Sequence, residues 1–213
     1  MTPSLRARAK EAVLDHIPGV LRRGPSVARR IALTFDDGPD ELTPAYLAML
    51  DHLGVPATFF LLGEQIERHP TLVREYLRRG HQLASHGLDH RRFTELSREE
   101  LLDQCARTET ALGGQISGRP WVRPPHGSLD PRSIVTLLAA SYTVALWSVD
   151  SCDYRDHDPG TLAATCAPDN LRSGDVLLFH EGQQWTINAL PRIVSALHGA
   201  GYELVTMHDL FAA

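Results

Sequence analysis

Short apolar runs alternate with longer amphipathic stretches along most of the 213-residue chain. The apolar runs are continuous rather than alternating, which is typical of strands that are buried on both faces of a parallel sheet. The stretches between them are long enough for helices. The predicted strands span residues 31–35, 57–62, 81–85, 121–123, 142–149, 175–179 and 203–206. The predicted helices span residues 43–54, 64–79, 97–113, 130–140, 158–171 and 187–200.

Capping signals mark the start of several of these helices. Ser97 and Glu100 have the spacing of a capping box, and Thr43 is the expected N-cap before Pro44. Helices that alternate with buried strands indicate parallel βα units. The sequence therefore predicts an α/β fold of about seven parallel βα units that close, or nearly close, into a barrel. An open doubly wound sheet is the alternative.

The first 30 residues lie outside this alternation. Residues 5–16 are expected to form a short helix, and the basic stretch over residues 20–30 is expected to run over the surface to the first strand. We therefore divide the chain into a flanking segment, residues 1–30, and one domain, residues 31–213, which is long enough for a large hydrophobic core.

Composition argues against several classes of protein. The net charge of −5 does not favour a nucleic-acid partner. No apolar run approaches the ~18 residues of a transmembrane segment, and no glycine-rich phosphate-binding motif follows a strand. The N-terminus shows no apolar signal-peptide core, and the three cysteines are not spaced as a disulfide framework. We expect a cytoplasmic protein.

Ionisable residues recur where the predicted strands end. In β/α barrels and open α/β sheets the carboxyl ends of the parallel strands form the edge at which active sites lie. We therefore expect these side chains to share one site. They are Asp36 and Asp37 after the first strand, His86 after the third, Arg123 after the fourth, Asp150 and Asp153 after the fifth, and His180 after the sixth.

One of these positions, together with a second histidine nearby, suggests a metal. His86 and His90 are four residues apart, a spacing that presents two imidazoles on one side of a helical turn. With one carboxylate, from either Asp36 or Asp37, they would form a three-ligand site that leaves positions open for water and substrate. This ligand set suits zinc, cobalt, nickel or iron.

The aspartate that does not bind the metal is free to act as a base on a metal-bound water. Arg123 is a suitable charge partner for that base. His180 would lie across the rim as a proton donor to the leaving group. Strand alternation puts Leu178 on the same face as His180, so an apolar contact is expected beside the acid.

Five short motifs in these regions are similar to those of a known family. Their residues and their order resemble the NodB-homology polysaccharide deacetylases of carbohydrate esterase family four, over about residues 30–210. The resemblance implies a distorted (β/α) barrel and a metal-dependent hydrolase. The motifs are TFDDG at residues 34–38, HGLDH at 86–90, RPPHG at 123–127, DSCDY at 150–154 and LLFH at 177–180.

The resemblance also separates the roles of the two adjacent aspartates. It implies that Asp36 is the catalytic base, oriented by Arg123. It implies that Asp37, His86 and His90 bind one divalent transition metal, with Zn²⁺ as the first choice and Co²⁺ or Ni²⁺ as alternatives.

The remaining implied roles concern the acid and the substrate. His180 would be the catalytic acid, tuned by Asp150 as its acidic partner. Leu178 and Tyr154 would line a pocket for the acetyl methyl group. The backbone N–H of His126 would help to stabilise the oxyanion.

Four positions depart from the family pattern, but none removes a predicted ligand or the acid–base pair. We therefore expect an active enzyme that removes N-acetyl groups from an acetylated amino sugar, in a chitin-oligosaccharide or a peptidoglycan-type glycan. The alternatives are acetate-ester hydrolysis on O-acetylated sugars, hydrolysis of a non-sugar amide or ureide, and a glycan-binding module without catalysis. The oligomeric state stays open. The departures are Gly87 for Ser or Thr, His126 for an aromatic residue, Tyr154 for Trp, and Glu181 for Asp.

Overall fold

The computed structural model describes residues 13–113 and 118–212. In this part of the chain nine strands form one sheet, and every pairing between them is parallel. The strands are β1 (Val20–Leu21), β2 (Arg30–Asp36), β3 (Thr58–Leu61), β4 (Gln82–Ser85), β5 (Trp121–Val122), β6 (Thr143–Ala145), β7 (Val149–Asp150), β8 (Val176–His180) and β9 (Glu203–Val205). Their order is β1-β6-β5-β4-β3-β2-β8-β7, and β9 pairs with the N-terminal half of β2.

Helices follow most of the strands. They are α1 (Thr43–Leu53), α2 (Gly63–Arg68), α3 (Leu72–Arg78), α4 (Arg98–Ala111), α5 (Pro131–Ala139), α6 (Pro159–Thr165), α7 (Gln184–Gly199) and α8 (Met207–Phe211). Single 3₁₀ turns occupy Phe93–Glu95, Pro125–Gly127 and Pro168–Asn170. Among the described residues, none of these helices combines the length and the apolar character that crossing a membrane requires.

The sheet curls round until the chain itself bridges its two sides. β6 pairs with β5 and β1, whereas β7, the next strand in the sequence, pairs with β8 on the far side of the sheet. Residues 146–148 make this link. Leu146 N–H donates to Leu21 O at 2.7 Å, and Ser148 N–H donates to Val176 O at 3.0 Å. The predicted distorted (β/α) barrel is therefore confirmed, while the prediction of one strand over residues 142–149 is wrong.

Other predicted boundaries need smaller corrections. The predicted helix over residues 64–79 is two helices, α2 and α3, because Pro70 lies between them and cannot continue a helix. Thr43 is the first residue of α1 rather than its N-cap, and Asp40 Oδ1 accepts the N–H groups of Leu42 and Thr43 at 2.7 and 3.1 Å. The capping box of Ser97 is confirmed.

The N-terminal segment also departs from the prediction. β1 lies within the flanking segment predicted over residues 1–30, and it pairs with β6. The basic stretch therefore contributes a strand to the sheet before it reaches β2. Most of the helix predicted over residues 5–16 lies outside the described residues.

Side chains alternate along β2 and β8 between an apolar outer face and a polar interior. Phe35, Phe59 and Phe179 stack on the outer face, with ring centroids 5.1 and 5.6 Å from Phe35, in the core beneath the helices. Thr34 and Asp36 point the other way and share an interior partner, described below. The interior at the C-terminal ends of the strands is therefore where polar groups collect.

Candidate active site

The predicted site residues meet at the C-terminal rim of the barrel. Asp36 is the last residue of β2 and lies in register with His180, the last residue of β8. Asp37 follows β2 directly, His86 follows β4, and Arg123 follows β5. Because the strands are parallel, their ends bring these side chains to one edge, as the sequence predicted.

Asp36 is held by a fully buried arginine. Arg123 is 0 % exposed; its Nη1 donates to Asp36 Oδ1 at 2.7 Å and to Thr34 Oγ1 at 2.8 Å, and Nη2 donates to Leu146 O at 3.1 Å. Its guanidinium also lies 3.9 Å from the centre of the Phe60 ring, a cation–π contact. Burial lowers the pKa of Arg123, and the adjacent carboxylate opposes that shift. The network fixes Asp36 in one orientation.

Asp37, His86 and His90 converge on one point. One ligand atom from each lies within 4.8 Å of the other two. Asp37 Oδ1 is 3.2 Å from His90 Nε2 and 3.5 Å from His86 Nε2. This buried oxygen nevertheless has no hydrogen-bond partner among the residues that the structure describes. Oxygen and nitrogen atoms that face each other without hydrogen bonding are the arrangement expected of ligands around a cation.

The protonation of the two imidazoles supports the same interpretation. His86 Nδ1–H donates to Arg123 O at 2.8 Å, which leaves the lone pair of Nε2 directed toward Asp37. Burial lowers the pKa of His86 and of His90, which favours the neutral form that binds metals. Burial raises the pKa of Asp37, with His86 opposing, because its carboxylate lacks a full counter-charge. Two neutral imidazoles and a carboxylate fit a divalent transition metal.

Three residues in or beside this triad have a backbone conformation that residues other than glycine rarely adopt. Asp37, His90 and His126 have φ of 76°, 64° and 58°, in the left-handed region. Such strain occurs where the surrounding structure imposes it, and it clusters at functional sites. It places the His126 ring 4.4 Å from the His90 ring, centre to centre.

The opposite side of the site carries a histidine–aspartate pair. His180 Nδ1–H donates to Asp153 Oδ1 at 2.7 Å. Asp153 Oδ2 accepts from the His180 backbone N–H at 2.9 Å and from Thr186 Oγ1 at 2.8 Å, and Trp185 Nε1–H donates to Asp153 O at 2.7 Å. Burial lowers the pKa of His180, but the hydrogen bond to Asp153 and the surrounding carboxylates, Asp36 among them, raise it to about 9. This shift favours the protonated form of His180.

The prediction that Asp150 is the acidic partner of His180 is wrong. Asp150 Oδ1 accepts the backbone N–H of Cys152 at 2.8 Å, while Asp153 makes the contact with His180. Cys152 has a φ of 60°, which turns the chain between the two aspartates. Both lie in one motif, and their spacing alone does not say which of them faces His180. Trp185, which anchors the backbone of Asp153, was also missed.

The three predicted substrate-binding residues border the same space. Leu178 is buried on β8, two residues before His180. Tyr154 is 53 % exposed, and its ring lies edge-on to that of His180 with centroids 5.4 Å apart. His126 is exposed beside His90. The roles assigned to these three residues stay predictions.

The fold and the rim together define a class of protein. It is a (β/α) barrel whose strand ends hold a three-ligand cluster suited to a metal, a fixed aspartate and a protonated histidine, the groups that hydrolysis of an amide or ester uses. Residues 23–145 match the family model described as Polysaccharide deacetylase. The chain belongs to this polysaccharide deacetylase family, in agreement with the resemblance seen in its motifs.

Individual relatives extend this match. A peptidoglycan-N-acetylglucosamine deacetylase of Bacillus cereus is 34% identical over 198 residues, which cover 87% of this chain and 90% of that protein. The peptidoglycan-N-acetylglucosamine deacetylase PgdA of Listeria monocytogenes is 34% identical over 185 residues; these cover 86% of this chain but only 39% of that protein's length. The crystal structure of the Bc1960 peptidoglycan N-acetylglucosamine deacetylase has a TM-score of 0.85 at 31% identity, covering 92% of this chain and 94% of that chain.

Proposed function

We propose that this protein is a metal-dependent deacetylase that hydrolyses the N-acetyl group of an acetylated amino sugar in a peptidoglycan-type or chitin-oligosaccharide glycan. The observation that carries the proposal is the pairing of two half-sites across one rim, with Asp36 beside the Asp37–His86–His90 cluster and the His180–Asp153 pair opposite. The relatives from Bacillus cereus and Listeria monocytogenes are peptidoglycan-N-acetylglucosamine deacetylases, and this supports the choice of substrate class.

The metal would be held by Asp37, His86 and His90. Zn²⁺ is our first assignment, and Co²⁺ and Ni²⁺ suit the same ligands. When bound, such an ion supplies Lewis acidity, which polarises the acetyl carbonyl and makes a water molecule more acidic.

Asp36 would accept a proton from the attacking water. Its Oδ1 is engaged by Arg123, whereas Oδ2 faces the cluster, 3.6 Å from His86 Nε2. Oδ2 is therefore the oxygen that would take the proton. Because Arg123 fixes the carboxylate from the interior, Oδ2 keeps its direction without help from the substrate.

His180 would protonate the leaving nitrogen. Its Nδ1–H is committed to Asp153, which leaves Nε2 to donate a proton to the amine as the carbon–nitrogen bond breaks. An amine leaves only after protonation, so an acid with its pKa raised to about 9 suits an amide substrate. The products are acetate and a free amino group on the sugar.

The test is acetate release by the full chain from N-acetylated chito-oligosaccharides and from peptidoglycan. We expect activity to disappear after treatment with a chelator and to return with Zn²⁺ or Co²⁺. Activity that is indifferent to the chelator would overturn the metal-dependent mechanism. A fully metal-loaded protein that releases no acetate from either glycan would overturn the substrate class and direct the search to O-acetyl esters and non-sugar amides.

A further inference from the structure

Glu181 carries a further buried carboxyl group, which lies near the Asp37–His86–His90 cluster and takes no part in the steps proposed above. Glu181 follows His180 and is 3 % exposed. Thr43 Oγ1 donates to its Oε1 at 2.7 Å, and the hydroxyl of Tyr76 lies 2.9 Å from Oε1 and 2.8 Å from Oε2. Both partners are themselves buried, in α1 and α3. The carboxyl group is therefore held in one place by two helices.

That place is against the turn that carries Asp37. A Cβ built on Gly38 would lie 1.6 Å from Glu181 Oε2 and 2.4 Å from its Cδ, so the carboxyl group occupies the space that any other residue at 38 would need. The backbone N–H of Glu181 donates to Asp36 O at 2.9 Å. Glu181 thus contacts the residue before Asp37 and the residue after it.

The backbone conformation of Asp37 needs support from its neighbours. Its φ of 76° lies in the left-handed region, which costs an aspartate free energy and persists where the surrounding structure imposes it. This conformation is the one in which its carboxylate meets His86 and His90.

We propose that Glu181 is a positioning residue: its carboxyl group wedges against Gly38 and so fixes Asp37 in the conformation that binds the metal. The inference rests on the proposed function, because it assigns Asp37 to a metal site. It also gives a reason for glycine at position 38 that is independent of turn geometry.

Cobalt binding by the full chain tests the proposal. For Glu181→Ala we expect Co²⁺ affinity to fall about 10-fold or more, in the range seen when groups that support metal ligands are removed. Burial raises the pKa of Glu181 to about 8, so glutamine is its matched neutral replacement, and Glu181→Gln should bind Co²⁺ more tightly than Glu181→Ala. Glu41→Ala is the control and should change nothing, because Glu41 is an exposed glutamate on the connection between β2 and α1 that also carries Asp37 and Gly38.

A second pair of variants tests the contact itself. Gly38→Ala should weaken cobalt binding strongly, because its methyl group meets the carboxyl group of Glu181. Gly38→Ala combined with Glu181→Ala should bind cobalt more tightly than Gly38→Ala alone, since the obstruction is gone. Losses that simply add would overturn the wedge. If Glu181→Ala does not fold, Tyr76→Phe, which removes one hydroxyl partner, should show a smaller loss of about 3-fold.

The outcomes separate this inference from the proposed function. A wild-type protein that binds cobalt but releases no acetate would overturn the function and leave the role of Glu181 intact. Unchanged cobalt affinity in folded Glu181→Ala would overturn the role of Glu181 and leave the function intact. Melting temperatures, measured for each variant, distinguish a loss of metal affinity from a loss of folding.

Discussion

The two halves of the active site differ in how completely the chain satisfies them. Around Asp153, the acid half is closed: both carboxylate oxygens and the backbone oxygen accept hydrogen bonds from named donors. In the other half, Asp37 Oδ1 is buried without a partner among the described residues, and two imidazole nitrogens point at it. The acid half is preorganised by the protein alone, whereas the other half has the arrangement that a bound cation would complete.

The largest effect on activity should come from a change at Asp36, which lies between the two halves. Asp36→Asn removes the proton acceptor but keeps an oxygen for Arg123, so the variant should fold. We expect kcat to fall about 10³-fold, within the range for loss of a general base. Co²⁺ affinity, measured by titration, should stay within a few-fold of wild type because Asp36 is not a ligand. A variant that keeps a tenth of the activity would assign the base to another group.

The open half should respond to ligand removal and the closed half should not. His90→Ala is expected to weaken Co²⁺ binding about 100-fold or more, because loss of a ligand should cost at least as much as loss of a group that supports one. The titration of His180, followed by NMR in the metal-free protein, should barely move. A large change in the pKa of His180 would show that His90, and not mainly Asp153 and the nearby carboxylates, sets that pKa.

The closed half should respond to loss of its own aspartate. Asp153→Asn is expected to lower kcat about 10- to 100-fold, since it removes the orientation of a general acid. It should also move the alkaline limb of the pH–activity profile to lower pH, because the hydrogen bond from His180 to Asp153 helps to raise the pKa of that histidine to about 9. Asp150→Asn is the matched control and should leave both quantities nearly unchanged. Equal effects from the two variants would contradict the assignment to Asp153.

The smallest effect concerns stability. The folded-state pKa of His180, about 9, lies above its ordinary value of 6.5. The stabilisation from its protonated form is therefore fully present below pH 6.5 and is lost as the pH rises through about 9. In the metal-free protein, urea unfolding should give a higher free energy of unfolding at pH 6 than at pH 10. Asp153→Asn should reduce that difference, and a difference unchanged in this variant would exclude the pair as its source.

Many strands of the barrel can be predicted from the sequence, because strands covered on both faces are apolar throughout. β2, β3, β4 and β8 fall within two residues of their predicted bounds. The division of residues 142–149 into two strands cannot be predicted in this way. The break at Leu146 comes from distant partners, since its N–H pairs with Leu21 and its carbonyl accepts from Arg123. β1, only two residues long, likewise depends on its pairing with β6.

The site shows the same limit at finer scale. The positions of Asp36, His86 and His180 at predicted strand ends indicated that their side chains would lie together, because parallel topology brings those ends to one edge. The choice between Asp150 and Asp153 depended on a left-handed residue, Cys152, that no local pattern marks. Glu181 was noted only as a departure from a motif, since its contact with Gly38 joins residues that are far apart in the chain.

The burial of Arg123 has a consequence for how this protein can change over generations. With Asp36 gone, the guanidinium would remain 0 % exposed with its counter-charge removed. Breaking a buried ion pair in this way costs about 3–5 kcal/mol, a large share of the stability of a typical domain. An allele that loses the base through a small apolar residue would therefore tend to lose the fold as well. Replacement of Asp36 by an apolar residue would therefore need a second change at Arg123, whereas asparagine at position 36 would keep an acceptor for the guanidinium.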